Sequence, residues 1–243
     1  MLGILSAPMG VAYHVVVSLA LFLTPLAGGL ATAAAIVVFT VAVRLLLSPL
    51  SYHAFRGQAS MAALQPKVSD LRKRYGSQPE RLQRELTALY RAEGSGMLAG
   101  CLPLLLQLPF FSVMYRLFLS KTVDGRANWL LSRDLLTTPL GSHWLTGAGP
   151  ASTQGLLFLG LFALLAGVGF LTARATRAAA PAAVAPGQPA GLGVLSRIAP
   201  YATVVIAAFV PLAAGIYLLT TTSWTAAERA LFRSRTKRTG ESP

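Results

Sequence analysis

The run GGLATAAAIVVFTVAVRLLLSPL, residues 28–50, is apolar except for one arginine, Arg44. About 20 such residues cross a bilayer as a helix. In hydrocarbon, a helix also satisfies every backbone N–H and C=O within its own segment. Further apolar runs follow, and we read the spans as 28–50, 101–120, 153–173, 196–210 and 211–231. Charged residues make up 12% of the chain, where an ordinary soluble domain carries about twice that share. The expected fold class is therefore an all-α polytopic membrane protein. Residues 8–25 are barely long enough to span, so residues 1–27 read as an N-terminal apolar helix. It either crosses or lies in the outer interface.

The net charge of +13 is unevenly placed. Residues 51–100 carry eight Lys and Arg, residues 174–197 three and the tail from Arg229 five, against three in residues 121–152. The positive-inside rule puts the first three groups, and the C-terminus, in the cytoplasm. The first span then runs from outside to inside. This asymmetry accounts for most of the charge without a nucleic-acid partner. Residues 1–43 hold no Lys or Arg, so the basic start of an ordinary signal peptide is missing.

The cytoplasmic segment 51–100 has its own pattern. Met61, Leu64, Val68, Leu71 and Tyr75 recur at spacings of three and four, one face of a helix. Pro66 interrupts that helix and is expected to weaken or kink it. Gly76 ends it, and Ser77 with Glu80 has the form of a capping box for a second helix, on which Leu82, Leu86, Leu89 and Tyr90 share a face. Two such helices make an antiparallel hairpin. Residues 174–195, rich in Ala, Pro and Gly, read as a flexible linker, and 232–243 as a basic tail.

No enzyme or cofactor motif stands out. The chain lacks a phosphate-binding GxxxxGK[ST] loop and a His-Glu zinc motif. Its single cysteine, Cys101, and three scattered histidines make neither a disulfide nor a metal site. Intramembrane polar residues are few: Arg44, Gln107, Gln154 and the Thr220–Ser223 cluster. A charge at the bilayer centre costs about 2.5 to over 10 kcal/mol. From the residues alone two roles for Arg44 stand open. It can snorkel to the headgroups, about 9 Å away along the helix to Leu50, or serve as a buried functional cation.

Four stretches carry a resemblance: GGLATAAAIVVFTVAVRLLLSPL, MAALQPKVSDLRKRYGSQPERLQRELTALYRAEGSGMLAGCLPLLLQLPFFSVMYRLF, WLLSRDL and FVPLAAGIYLL. In that order they resemble the YidC/Oxa1/Alb3 family of membrane protein insertases, and the alanine and arginine content is similar to that of actinobacterial members. The resemblance covers about Gly28 to Trp224. It implies a five-span core, residues 28–231, with a cytoplasmic helical hairpin and no catalytic chemistry. It also implies a hydrophilic groove, open to the cytoplasm, formed around Arg44 with Gln107, Gln154 and Tyr217. The chain departs from the family where Ile216-Tyr217-Leu218 stands for Leu-Tyr-Trp, leaving Tyr217 as the aromatic contact.

The implied function is insertion and assisted folding of client transmembrane segments in the cell membrane. Implied partners are nascent membrane proteins, the lipid bilayer, the Sec translocon and the ribosome. The hairpin residues Lys67, Arg72, Lys73, Arg74, Arg81 and Arg84, and the basic tail, would receive the chain or ribosome. The alternative function is a small-solute or anion transporter with Arg44 as its binding site, for which the sequence offers no internal repeat.

Overall fold

The computed structural model describes residues 6–92, 113, 117–120, 122–123, 125–147, 149–179 and 198–239. Most of the expected span 101–120, with Cys101 and Gln107, lies outside the described residues, as does most of the 174–195 linker. The described chain is mostly helical. Among the described residues, Met9–Gly57 and Thr153–Arg177 are long and apolar enough to cross a membrane.

α1 (Ser6–Ala27) ends where Gly28 takes φ +51, a left-handed conformation that suits glycine after a helix C-terminus. A short 3₁₀ turn, Gly28–Leu30, leads into α2 (Ala31–Ala63). α2 runs straight past the end of the expected first span and carries Pro49 inside it. Proline removes one helical N–H, a loss that membrane helices tolerate through neighbouring side chains and local adjustment. α3 (Gln65–Tyr75) and α4 (Pro79–Ala92) follow and pack on each other.

One local reading of this segment holds in altered form and one is corrected. Pro66 does interrupt the helix, α2 ending at Ala63, and it does so by opening α3 within its first two positions, where a missing N–H costs nothing. Ser77 is not the cap of α4. The first helical bond runs from the Leu82 N–H to the Gln78 carbonyl at 2.9 Å, which makes Gln78 the cap and Pro79 the first helical residue.

The chain divides into two compact units. Unit 1 comprises Met1–Leu46, Leu108–Thr172 and Pro200–Ala226. Its core joins Val16 and Ala20 of α1, Ala35 and Ile36 of α2, Leu117, Phe118, Leu130, Leu140, Phe158 and Leu165. Ala207 of α6 (Ala202–Phe209) and Leu212 and Ala213 of α7 (Leu212–Thr239) complete it. α5 (Thr153–Ala179) starts at Ser152, whose hydroxyl accepts from the Gly155 N–H at 3.0 Å, an N-cap bond. Between α6 and α7, extended Val210 precedes Pro211, since proline disfavours the helical region for the residue before it.

The segment between residues 122 and 152 holds what the sequence reading did not anticipate, two small antiparallel ladders. β1 (Thr122–Val123) pairs with β2 (Arg126–Ala127), and β3 (Asp134–Leu135) with β4 (Thr138–Pro139). Asn128, buried, ties the segment together. Its amide donates to the carbonyls of Leu117 (2.7 Å) and Ser120 (3.0 Å), and its Oδ1 accepts from the Leu130 N–H (3.2 Å). The Trp129 N–H donates to the Tyr13 hydroxyl of α1 at 3.2 Å. The first N–H groups of α7, on Leu212 and Ala213, donate to the Ser142 and Leu140 carbonyls, each at 2.9 Å.

The β3–β4 turn places Leu136 at φ 58 and Thr137 at φ 156, conformations usually left to Asn and Gly in a two-residue hairpin. Leu136 is exposed, so little packing offsets that strain. Replacing the pair by Asn-Gly is expected to stabilise the protein by about 1 kcal/mol. A rise in melting temperature in detergent would show it, and a fall would show that Leu136 makes up for its backbone.

Unit 2 comprises Leu47–Gln107, Ala173–Ala199 and Ala227–Pro243. Among its described residues Leu64, Val68 and Ala173 are the buried apolar ones, with Leu71, Tyr75, Leu82, Leu86, Leu89 and Tyr90 half-buried. Gly76 is required between α3 and α4, because a Cβ there would meet the Arg72 carbonyl oxygen at 2.7 Å.

Candidate functional site

Arg44 lies on α2, half-buried, one turn after Thr40 and one turn before Ser48. Thr40 is buried and turns its hydroxyl back on the Ile36 carbonyl at 2.6 Å, so it adds little polarity to its surroundings. Arg44 stands close enough to Tyr217 of α7 for the two to interact electrostatically. Tyr217 in turn packs on Phe118, ring centres 6.0 Å apart. Of the four expected groove residues, Arg44 and Tyr217 thus lie within electrostatic range of each other.

On α7 the polar residues divide by what their side chains bond. Thr220, Thr222 and Thr225 donate to the carbonyls of Ile216, Leu218 and Thr221 on their own helix, at 2.8–2.9 Å. Their donors are spent. Tyr217, Thr221 and Trp224, at i, i+4 and i+7, share one face. The Thr221 side chain bonds with Tyr217, while Trp224 Nε1 is buried with no hydrogen-bond partner in the protein. Leaving such a group unsatisfied costs about 1–3 kcal/mol, so this face of α7 suits water or a polar guest at Trp224. On its other side α7 comes close to α5, because a Cβ on Gly215 would sit 2.5 Å from Leu161.

Gln154 lies elsewhere. Its amide donates to the His143 carbonyl at 3.2 Å and packs against Gly147. It thus fastens the start of α5 to the preceding loop, where Trp144 also packs against Phe158, tilted, and Phe162, edge to face, with ring centres 6.1 and 5.4 Å apart. Gln107 lies outside the described residues.

Lys67, Lys73, Arg74, Arg81 and Arg84 are exposed on α3 and α4, and Arg72 is half-buried. Arg81 lies over the Tyr75 ring at 4.8 Å, a cation–π contact across the turn. Among the described residues, no group of His, Cys, Asp and Glu could hold a metal ion.

Two residues escaped the sequence reading. Trp224 falls seven residues after Tyr217, a spacing that places it on the same face. Glu228 is the only acidic residue in the sequence between residues 135 and 240, and it is buried.

Residues 22–239 match the family described as 60Kd inner membrane protein. A membrane protein insertase YidC of Granulibacter bethesdensis is 35% identical over 139 residues, 55% of this chain and 24% of that relative. One from Helicobacter pylori is 36% identical over 97 residues, 40% of this chain and 18% of the relative. One from Campylobacter jejuni is 38% identical over 95 residues, 39% of this chain and 18% of the relative. The chain spans about a quarter or less of the length of these relatives.

Proposed function

This chain belongs to the 60Kd inner membrane protein family, and from that premise we propose that it inserts transmembrane segments of client proteins into the bilayer. The observation that carries the reading is Arg44, in a helix apolar enough to span, within electrostatic range of Tyr217, on the α7 face that also bears Trp224 and its unpartnered indole N–H. A polar tail on a nascent chain must cross about 30 Å of hydrocarbon. A partly wet cavity shortens that path, and a cation within it lowers the desolvation cost of the tail's acidic groups. The client's apolar helix then partitions into lipid at roughly 25 cal/mol per Å² buried, which supplies the drive.

The finer arrangement belongs to the same proposal. Five spans form the core over residues 28–231, with residues 1–27 as an outer apolar helix. The α3–α4 segment, the linker and the C-terminal tail face the cytoplasm of a plasma membrane, as the excess of Lys and Arg there supports. The basic surface of α3 and α4 and the tail meet the nascent chain or the ribosome, because clustered Lys and Arg bind RNA phosphates. The protein works alone or beside the Sec translocon.

Reconstitution of the purified protein with a single-span client tests the function. Client insertion without solute flux supports it. Anion flux without insertion would replace it with a transporter. In the same assay, changing Leu82, Leu86 and Leu89 to polar residues is expected to cut insertion severalfold while the protein stays in the membrane. Full activity would remove α4 from the mechanism.

A further inference from the structure

Among the described residues Glu228 is the buried carboxylate, 8% exposed. Its Oε1 accepts from the Ser48 hydroxyl of α2 at 2.9 Å. One turn away on its own helix stand Trp224, Thr225, Leu231 and Phe232, the positions an i±3 or i±4 partner would occupy. None is basic, although Arg229 and Arg233 crowd the same stretch. The carboxylate turns away from the cations of its helix and into α2.

The same two faces meet again one turn on. Phe232, four residues after Glu228, packs between Tyr52 and Phe55 of α2, with ring centres 5.2 and 5.5 Å apart. Arg233 donates to the Ala175 carbonyl at the end of α5, at 2.9 Å. A polar bond and an aromatic contact thus follow each other along one seam of unit 2. An apolar pair would stabilise the seam at least as well, since a buried carboxylate gives up its hydration. What a directional polar bond adds is a single permitted register, as polar residues do at helix interfaces elsewhere.

Ser48 lies one turn after Arg44 on the same continuous helix. Four residues turn a helix through little more than one revolution, so whatever fixes the direction of Ser48 fixes that of Arg44. We propose that Glu228 is a positioning residue, whose bond to Ser48 sets the register of α2 against α7 and thereby the direction in which Arg44 faces. The consequence for client transfer rests on the insertion reading above; the register itself does not.

The test uses the full-length protein in bilayers, with Cys101→Ala and spin labels on Arg56→Cys and Ser234→Cys, both exposed positions. The parent is expected to give a narrow distance distribution. Ser48→Ala and Glu228→Ala should broaden it, the double variant no further than either alone. Glu228→Gln should keep it narrow, because an amide oxygen still accepts from Ser48. Without the labels, transfer of an acidic-tailed client should fall about tenfold in the two alanine variants and hold in Glu228→Gln, the scale of one lost hydrogen bond to a charged group.

Unchanged distances in both alanine variants would overturn the proposal, and so would a Glu228→Gln variant that behaves like Glu228→Ala. Broadened distances with undiminished transfer would reduce the bond to a staple and equally overturn the positioning role. Should Glu228→Ala fail to accumulate, Ser48→Ala decides, since it removes the donor and keeps the carboxylate. A parent protein that transfers no client refutes the insertion reading instead, and the distances still judge the register.

Discussion

Arg44→Ala is expected to lower insertion of clients whose translocated tail carries Asp or Glu by roughly tenfold or more, the scale of one lost charge-assisted contact. Neutral tails on strongly apolar helices should be affected little. Arg44→Lys should retain most of the activity, because a positive charge at that depth matters more than a planar fork. Arg44→Glu should do worse than alanine with acidic tails, since like charges then meet in a poorly screened site. A snorkelling arginine predicts another pattern, in which the protein is modestly destabilised and every client suffers equally. The measurement is insertion of one client series that varies only in tail charge, at matched protein levels. Equal relative losses for acidic and neutral tails would refute the attractive cation and leave Arg44 a hydrating residue.

The second large effect concerns stability. Asn128→Leu removes two donors and one acceptor from a buried site and leaves the Leu117 and Ser120 carbonyls and the Leu130 N–H without their partner. At about 1–3 kcal/mol for each unsatisfied group, a loss of several kcal/mol is expected, read as a fall in melting temperature in detergent. Asn128→Asp should be nearly as harmful. Its carboxylate can still accept from Leu130 but faces two carbonyl oxygens that want a donor. A variant with either change that melts like the parent would show that the segment between residues 122 and 152 is held by other means.

What could be read from the sequence was whatever repeats or stands out along one element. The apolar runs foretold α2, α5 and α7, and the three-four spacing of Leu64, Val68, Leu71 and Tyr75 foretold α3. Arg44 was conspicuous because nothing else around it is charged. Features that need a partner element were hidden. Glu228 looks like one more charge in a basic stretch until Ser48 is seen opposite it, and Trp224 stands out only once its indole N–H is known to be buried. Local chemistry misled at Ser77, because it fits two helix-terminus schemes that differ by one residue, whereas Pro66 interrupts the helix as its ring demands. The β3–β4 turn gave no signal at all, since Leu136-Thr137 lacks the Asn or Gly that marks such hairpins.

The docking of the Leu140–Ser142 segment onto the start of α7 is made of backbone groups alone: carbonyls of Leu140 and Ser142, amides of Ala213 and Leu212. Every amino acid supplies a carbonyl, and all but proline an amide. This anchorage is therefore blind to side-chain identity. Related chains can drift freely in sequence here without losing the attachment, provided the path of the main chain and its length are kept. Insertions or deletions, rather than substitutions, are what this joint forbids.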